Sequence, residues 1–239
     1  MSSIRIHPLH LGTITRQVSN FLYRKEVGTL MDAPLIAWYI EGSDKKILVD
    51  TGGAPPEKAD PACHPYKREE SQSIVNALKR FGLTCEDIEI LVTTHLHWDH
   101  CSNNGLFPKA KILLQKEEME SARSPFPVFA RSCMESMITD INYTLLSGDA
   151  EIAKGVKVVL LPGHTCGLQG VLVEAEKQRI LIAGDSVPLF RNLAQDPPLI
   201  SGTYVDLRQY YATFKKMAAL SALILPGHDF KVFEKEVYF

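Results

Sequence analysis

The sequence predicts an α/β fold, and three observations carry that reading. Short apolar runs rich in Val, Ile and Leu recur along the chain, among them "KKILVD", "IEILVTTH" and "RILIAGDS". Bounded by turn residues, such runs read as buried strands. Between them lie stretches with helical spacing, such as "ESQSIVNALKRFG", and strands alternating with helices define the class. The bulk composition agrees: 239 residues, 45% hydrophobic and 23% charged, can bury a full core without disulfides.

Taken in order, the first third is β-rich. "APLIAWYIEG" and "KKILVDTGG" are β-type runs separated by "SD", which predicts a hairpin. In "ESQSIVNALKRFG", Ile74, Ala77, Leu78 and Phe81 share one helical face, and Gly82 stands where the helix ends. "IEILVTTH" predicts a buried strand, "AKILLQ" another, and "KEEMESA" a helix. Residues 121–145 carry two early prolines and then a helix-like pattern, an excursion suited to packing over a site. Strands resume at "VKVVLLPG", "GVLVEAE" and "RILIAGDS"; a helix follows at 206–219 and a strand at "ALILPGH". No repeat or low-complexity linker divides the chain, so residues 1–239 read as a single domain.

A net charge of −2 gives no basic field for a nucleic acid. The blocks "KREE" and "QKEEME" read as solvated faces. No apolar run is long enough to span a bilayer, and "MSSIRIHPLHLGTI" lacks the apolar centre of a signal peptide. The cysteines Cys63, Cys85, Cys101, Cys133 and Cys166 are odd in number, dispersed and without a C-x-x-C pair. That fits a reducing, cytoplasmic setting. The expected partners are a small-molecule substrate and at most a second copy of the chain, with no nucleic acid and no membrane.

The eight histidines are distributed unevenly. Three of them fall with an aspartate inside "HLHWDH". Four predicted strands each finish in a metal-capable side chain: His95, His164, Asp185 and His228. Ligands gather at the carboxyl ends of strands in α/β folds, where loops vary over a rigid sheet. In an extended segment, alternation turns His95, His97 and Asp99 to one side and Leu96 and Trp98 to the other. His100 then turns toward a second position. The candidate metal ligands are therefore His95, His97, Asp99, His100, His164, Asp185 and His228. Imidazole and carboxylate suit zinc, with iron and manganese as alternatives. The isolated His7, His10 and His64 read as structural or exposed.

These residues resemble the metallo-β-lactamase fold superfamily, whose H-x-H-x-D-H signature stands here as "HLHWDH". Its later ligands match His164 in "LPGHTCG", Asp185 in "AGDS" and His228 in "LPGHD", and "LVDTGG" at 48–53 is similar to its early strand and turn. The resemblance implies a four-layer αββα sandwich and two divalent metal ions. It implies that His95, His97 and His164 bind one ion, that Asp99, His100 and His228 bind the other, and that Asp185 bridges. Asp50 matches an aspartate that orients a ligand histidine. The implied chemistry is hydrolysis by water activated between two cations, with Asp99 as the catalytic carboxylate that orients the nucleophile and passes its proton.

Within the superfamily the chain is most similar to the N-acyl-homoserine lactonases, by the spacing of "THLHWDH", by "PGHT" and "GHD", and by the excursion after "KILLQKEEME". In that branch an apolar surface receives the acyl chain; Phe21, Leu22, Tyr23, Phe126, Val128, Phe129 and Met134 are the candidates for it. One position departs. Many of these lactonases carry a tyrosine three residues after the bridging aspartate, and here Pro188 stands there, which offers no hydrogen-bond donor. Tyr204, Tyr210 and Tyr211 are the candidates to replace it. The alternative reading is a hydrolase of the same fold for another lactone, such as a pyridoxolactone-like ring, a cyclic amide, an ester, or a thioester in the manner of glyoxalase II.

Overall fold

The computed structural model describes residues 3–130, 132 and 135–239. Among these residues are twelve strands: β1 (Arg5–Gln17), β2 (Leu30–Glu41), β3 (Ile47–Val49), β4 (Tyr66–Lys67), β5 (Ile90–Val92), β6 (Lys111–Gln115), β7 (Tyr143–Leu146), β8 (Ala150–Ala153), β9 (Val156–Leu160), β10 (Gln169–Glu174), β11 (Arg179–Ile182) and β12 (Leu223–Leu225). The α-helices are α1 (Val18–Phe21), α2 (Ile74–Lys79), α3 (Trp98–Cys101), α4 (Lys116–Arg123) and α5 (Leu207–Ala219). One sheet has the order β4-β1-β2-β3-β5-β6-β7 and the other β12-β11-β10-β9-β8.

Side-chain alternation along the strands builds the layers. In β2, Ile36, Trp38 and Ile40 face the space between the sheets, where they meet Val156 and Val158 of β9, Val171 and Val173 of β10, and Ile180 and Ile182 of β11. Their neighbours Ala37 and Tyr39 face outward with Leu48, Leu91 and Leu114, under Ile74, Ala77 and Leu78 of α2 and Met119 of α4. On the far side, Leu172 and Leu181 point out of the second sheet and pack beneath Tyr210, Phe214 and Met217 of α5. The result is the expected αββα sandwich. Each side chain of this size taken fully from water contributes about 1.5–3 kcal/mol, so period-2 patterning on both faces fixes the register.

The expected hairpin forms, with Trp38, Tyr39 and Ile40 paired antiparallel to Val49, Leu48 and Ile47. β3, β5, β6 and β7 then run parallel. The helix expected from residue 70 is broken into a 3-10 turn, Glu70–Gln72, and α2. Ser73 interrupts it, because its hydroxyl accepts from Asn76 N and caps the second piece. In the 121–145 excursion the helix-like pattern resolves into the 3-10 turns Pro127–Phe129 and Glu135–Met137, followed by β7. β1 and β8 are further strands that apolar runs did not announce. No helix among the described residues is long and apolar enough to cross a membrane.

Candidate metal centre

The chain turns at the carboxyl ends of β5, β9, β11 and β12 converge on one point. Beyond β5 the backbone stays extended through His95 and His97 and then enters α3, which carries Asp99 and His100. His164 follows β9, Asp185 sits in the 3-10 turn Gly184–Ser186 after β11, and His228 follows β12. All seven sequence candidates come together, in two groups whose potential ligand atoms lie within 4.8 Å of one another: His95, His97, His164 and Asp185, and Asp99, His100 and His228. The two carboxylate oxygens of Asp185 divide between the groups. Oδ2 lies 3.4 Å from His164 Nε2, while Oδ1 lies 3.1 Å from His228 Nε2 and 3.3 Å from His100 Nε2. Asp99 Oδ2 lies 3.6 Å from His228 Nε2.

The outer nitrogens of four imidazoles are held by the fold, which turns their inner nitrogens to the centre. His228 Nδ1 donates to Pro34 O (2.9 Å) and His164 Nδ1 to Thr203 O (2.8 Å). His100 Nδ1 lies 2.8 Å from Asp50 Oδ2. The same Asp50 accepts from Thr94 N and Thr94 Oγ1, both at 2.7 Å. With its proton given to Asp50, the Thr94 hydroxyl is left to accept from His95 Nδ1 at 3.1 Å. Such outer bonds fix tautomer and ring orientation at metal sites. Asp50 itself is held at φ 61°, a left-handed conformation that costs a non-glycine residue about 1–2 kcal/mol and is offset by these bonds.

A divalent cation pair fits this donor set. His95 Nε2 is buried without a hydrogen-bond partner, a state that costs about 1–3 kcal/mol when nothing else binds there, and His100 Nε2 and Asp185 Oδ1, 3.3 Å apart, are buried without a well-directed bond. Burial, with the imidazoles of His100 and His97 nearby, drives the His95 pKa well below its ordinary value. Burial and the neighbouring His164 push His97 down to about 3. Both therefore present neutral, ligand-ready rings. Burial also opposes charge on His100, but the carboxylates of Asp185, Asp99 and Asp50 outweigh it and hold that ring well above the usual range. Clustered acids beside bare imidazole nitrogens form a site with excess negative potential. Replacing Asp50 with Asn would put an amide N–H against the donors of His100 and Thr94. Metal affinity should fall by about 10- to 100-fold, read by competition with a chelating dye; unchanged affinity would remove Asp50 from the centre.

Two features escaped the sequence reading. The block "QKEEME" is only partly a solvated face. Glu117 and Glu120 are exposed, but Glu118 is buried, and burial raises its pKa. Its Oε1 accepts from Leu96 N (3.0 Å), between His95 and His97, and its Oε2 from Gly167 N (2.9 Å), just beyond His164. One carboxyl group thus braces both histidine-bearing loops. The second feature is Arg16, which lines the cavity above the centre together with Ile14, Phe21, Trp98 and Thr203. Only the period-2 alternation of β1 signals it.

Of the proposed apolar surface, Phe21 faces the cavity and packs its ring on His228, with centroids 5.6 Å apart. Leu22 belongs to the core, and Tyr23 stacks edge-on with Tyr204. Phe126 and Val128 are 59% and 78% exposed. Met134 and the side chain of Phe129 lie outside the described residues, as does Cys133. Tyr210 is fully buried; its hydroxyl donates to Asp185 O and accepts from Ser201 N. Pro188 takes a backbone role, accepting from His228 N at 2.8 Å. Cys101 is a buried packing residue whose thiol donates to His97 O. A cleft of about 690 Å³, lined by Gly42, Asp44, Lys154 and Glu174, lies at the opposite end of the strands.

Residues 37–228 match the model of the metallo-beta-lactamase superfamily. The chain is 33% identical over 219 residues to an N-acyl homoserine lactonase from Bacillus sp., covering 84% of each chain. It is 27% identical to the N-acyl homoserine lactonase AiiB of Agrobacterium fabrum, over 84% of this chain and 81% of that one. Among solved structures it is similar to a variant of B. thuringiensis AiiA with N-decanoyl-L-homoserine bound at the active site, at TM-score 0.83 and 26% identity, covering 98% of this chain and 96% of that one. It matches equally well an N-acyl homoserine lactone hydrolase with the product N-hexanoyl-L-homoserine at its catalytic metal center, at TM-score 0.83 and 25% identity over the same shares. With its fold and its converging histidines and aspartates, the chain belongs to the metallo-β-lactamase superfamily, in the family of the N-acyl homoserine lactonases, and is a metal-dependent hydrolase.

Proposed function

We propose that the chain is a dinuclear lactonase that opens an N-acyl homoserine lactone or a related lactone ring. The observation that carries this reading is the two groups of donors joined by the two oxygens of Asp185. In this reading His95, His97 and His164 hold one cation, Asp99, His100 and His228 the other, and Asp185 both. Zinc is the metal that this nitrogen and oxygen donor set suits best. Two such cations supply Lewis acidity toward the ring carbonyl and a water of lowered pKa.

The chain's own residues do the rest. Asp99 lines the cavity beside Asp185 and His228, where its carboxylate accepts the proton of the attacking water and returns it to the departing ring oxygen. Trp98 and Phe21 wall the cavity with apolar rings and keep bulk water from the reacting carbonyl. The pinned rings of His100, His164 and His228 hold the donors in place through the cycle, so little reorganisation is needed at the transition state. The product complexes of the related lactonases support the substrate class.

The test is a panel of lactones, thioesters, β-lactams and phosphodiesters assayed before and after chelation. Lactones should be turned over fastest, with activity lost on chelation and restored by zinc at about two ions per chain. Preference for any other class, or turnover that survives complete metal removal, would overturn the reading.

A further inference from the structure

We propose that Arg16 selects the substrate, and that the preferred lactone carries a carboxylate on or next to its ring. The inference rests on the lactonase reading above and selects, within it, the related lactones over N-acyl homoserine lactones, whose ring carries a neutral amide. Alternation along β1 turns Ile14 and Arg16 into the same cavity as Asp99, Asp185 and His228. Among the described residues, Arg16 is the only lysine or arginine lining that cavity.

The guanidinium is anchored but its charge is not matched. Nη1 donates to Thr15 O (2.8 Å) and Pro65 O (3.4 Å), and Nη2 to Cys63 O (2.6 Å). These acceptors are neutral carbonyls. Arg5, Arg179 and Arg191 pair with Glu41, Glu174 and Glu26, whereas Arg68, like Arg16, donates to a backbone carbonyl, Gly53 O, but does not line this cavity. Among the described residues no carboxylate oxygen lies within 4.0 Å of Arg16. Of five guanidinium N–H groups, Nε–H and one Nη2–H have no acceptor among the described residues. A fixed fork with two open donors is suited to a carboxylate more than to a single amide oxygen.

Two further observations favour a compact, polar substrate. The cavity is about 120 Å³, below the roughly 300–1,000 Å³ of ordinary ligand pockets. Of the apolar side chains of the excursion that would enclose a long acyl chain, Val128 stands out into solvent and Phe126 borders only a crevice of about 30 Å³ beside His97. Among the described residues no tyrosine takes the place of the phenol that Pro188 replaces: the Tyr210 hydroxyl is spent on Asp185 O and Ser201 N, Tyr204 packs on Tyr23, and neither they nor Tyr211 line the cavity. Arg16 is the charged donor that lines the cavity, beside the neutral side chains of Asn20 and Thr203.

The test compares two isosteric lactones on the metal-loaded enzyme: 5-oxotetrahydrofuran-2-carboxylate and the neutral 2-carboxamide. In each, water adds across the ring acyl C–O bond, giving a carboxylate and a free alcohol and releasing one proton, which a pH-stat records. The wild type should favour the carboxylate by roughly 10- to 100-fold in kcat/KM, chiefly through KM. Arg16→Met should abolish that preference while leaving turnover of the carboxamide in place, and Arg16→Lys should restore part of it. Calorimetry of the ring-opened product 2-hydroxyglutarate supplies a reading independent of turnover, with binding tighter in the wild type than in Arg16→Met. Equal kcat/KM for the two lactones would overturn the proposal. So would an equal loss on both in Arg16→Met, which marks Arg16 as only a brace for the 63–65 loop. If no lactone is opened, the lactonase reading fails, and the calorimetry alone decides for Arg16: equal binding to both proteins overturns it.

Discussion

Replacing Asp185 with Asn should lower kcat/KM by about 10³-fold, equivalent to about 4 kcal/mol at the transition state, and should leave fewer than two metal ions per chain. Among the described residues Asp185 is the one side chain whose oxygens reach toward both donor groups. An amide keeps the shape but offers a single acceptor, and its NH₂ would face the ring nitrogen of either His164 or His228. The carboxylate also supplies charge. Burial disfavours its ionisation, yet the adjoining His228 and His100 rings outweigh this and hold its pKa well below the ordinary value. Metal analysis of the purified variant together with steady-state kinetics checks the expectation. Two ions per chain with turnover near that of the wild type would contradict the shared-ligand role.

The second large effect is on stability. Gly167→Ala should destabilise the fold by about 3 kcal/mol, lowering Tm by roughly 6–12 °C for a chain of this size. A Cβ at Gly167 would stand 2.3 Å from Glu118 N and 2.8 Å from Glu118 Cα. Those are backbone atoms of α4, so no rotamer change relieves the clash. The loop lies flush on the helix because Gly167 N donates to the Glu118 carboxylate. Gly105→Ala is the matched control, since a Cβ there meets nothing within 4 Å. Thermal melts of the two variants should separate cleanly; equal Tm values would mean that the loop can lift from α4 at little cost.

The metal-capable residues were legible in the sequence because each of the four strand ends pairs an apolar run with a polar terminus. Periodicity finds the run, and the side chain at its end stands out. Asp50 was legible through the family motif, and its bond to His100 gives that match a physical role. Glu118 was not legible. It sits among Glu117 and Glu120 in an acidic stretch, and sequence alone does not reveal which face of an eight-residue helix will be buried against two loops. β1 was obscured by Pro8, by Gly12 and by the register shift between His10 and Thr13, which leave only the short alternating stretch from Thr13 to Gln17 to point to Arg16. β8 is short and alternates weakly. Its place follows from pairing with β9, a long-range fact that no local pattern encodes. The substitution at Pro188 was visible, but its meaning depended on where Tyr210 bonds, and that is a property of packing.

The donors come from both sheets. His95, His97, Asp99 and His100 extend from the first; His164, Asp185 and His228 from the second. His228 is steadied by Pro34 O, across the interface on β2. The centre therefore exists only while the two sheets are docked. Catalytic turnover is then a local probe of that docking: in a denaturant series it should vanish once the halves part, even if each sheet keeps its own hydrogen bonds. Bound cations would act in the opposite sense, as a clasp across the sandwich, favouring the closed assembly by mass action, by about 4 kcal/mol when free metal exceeds its Kd a thousandfold.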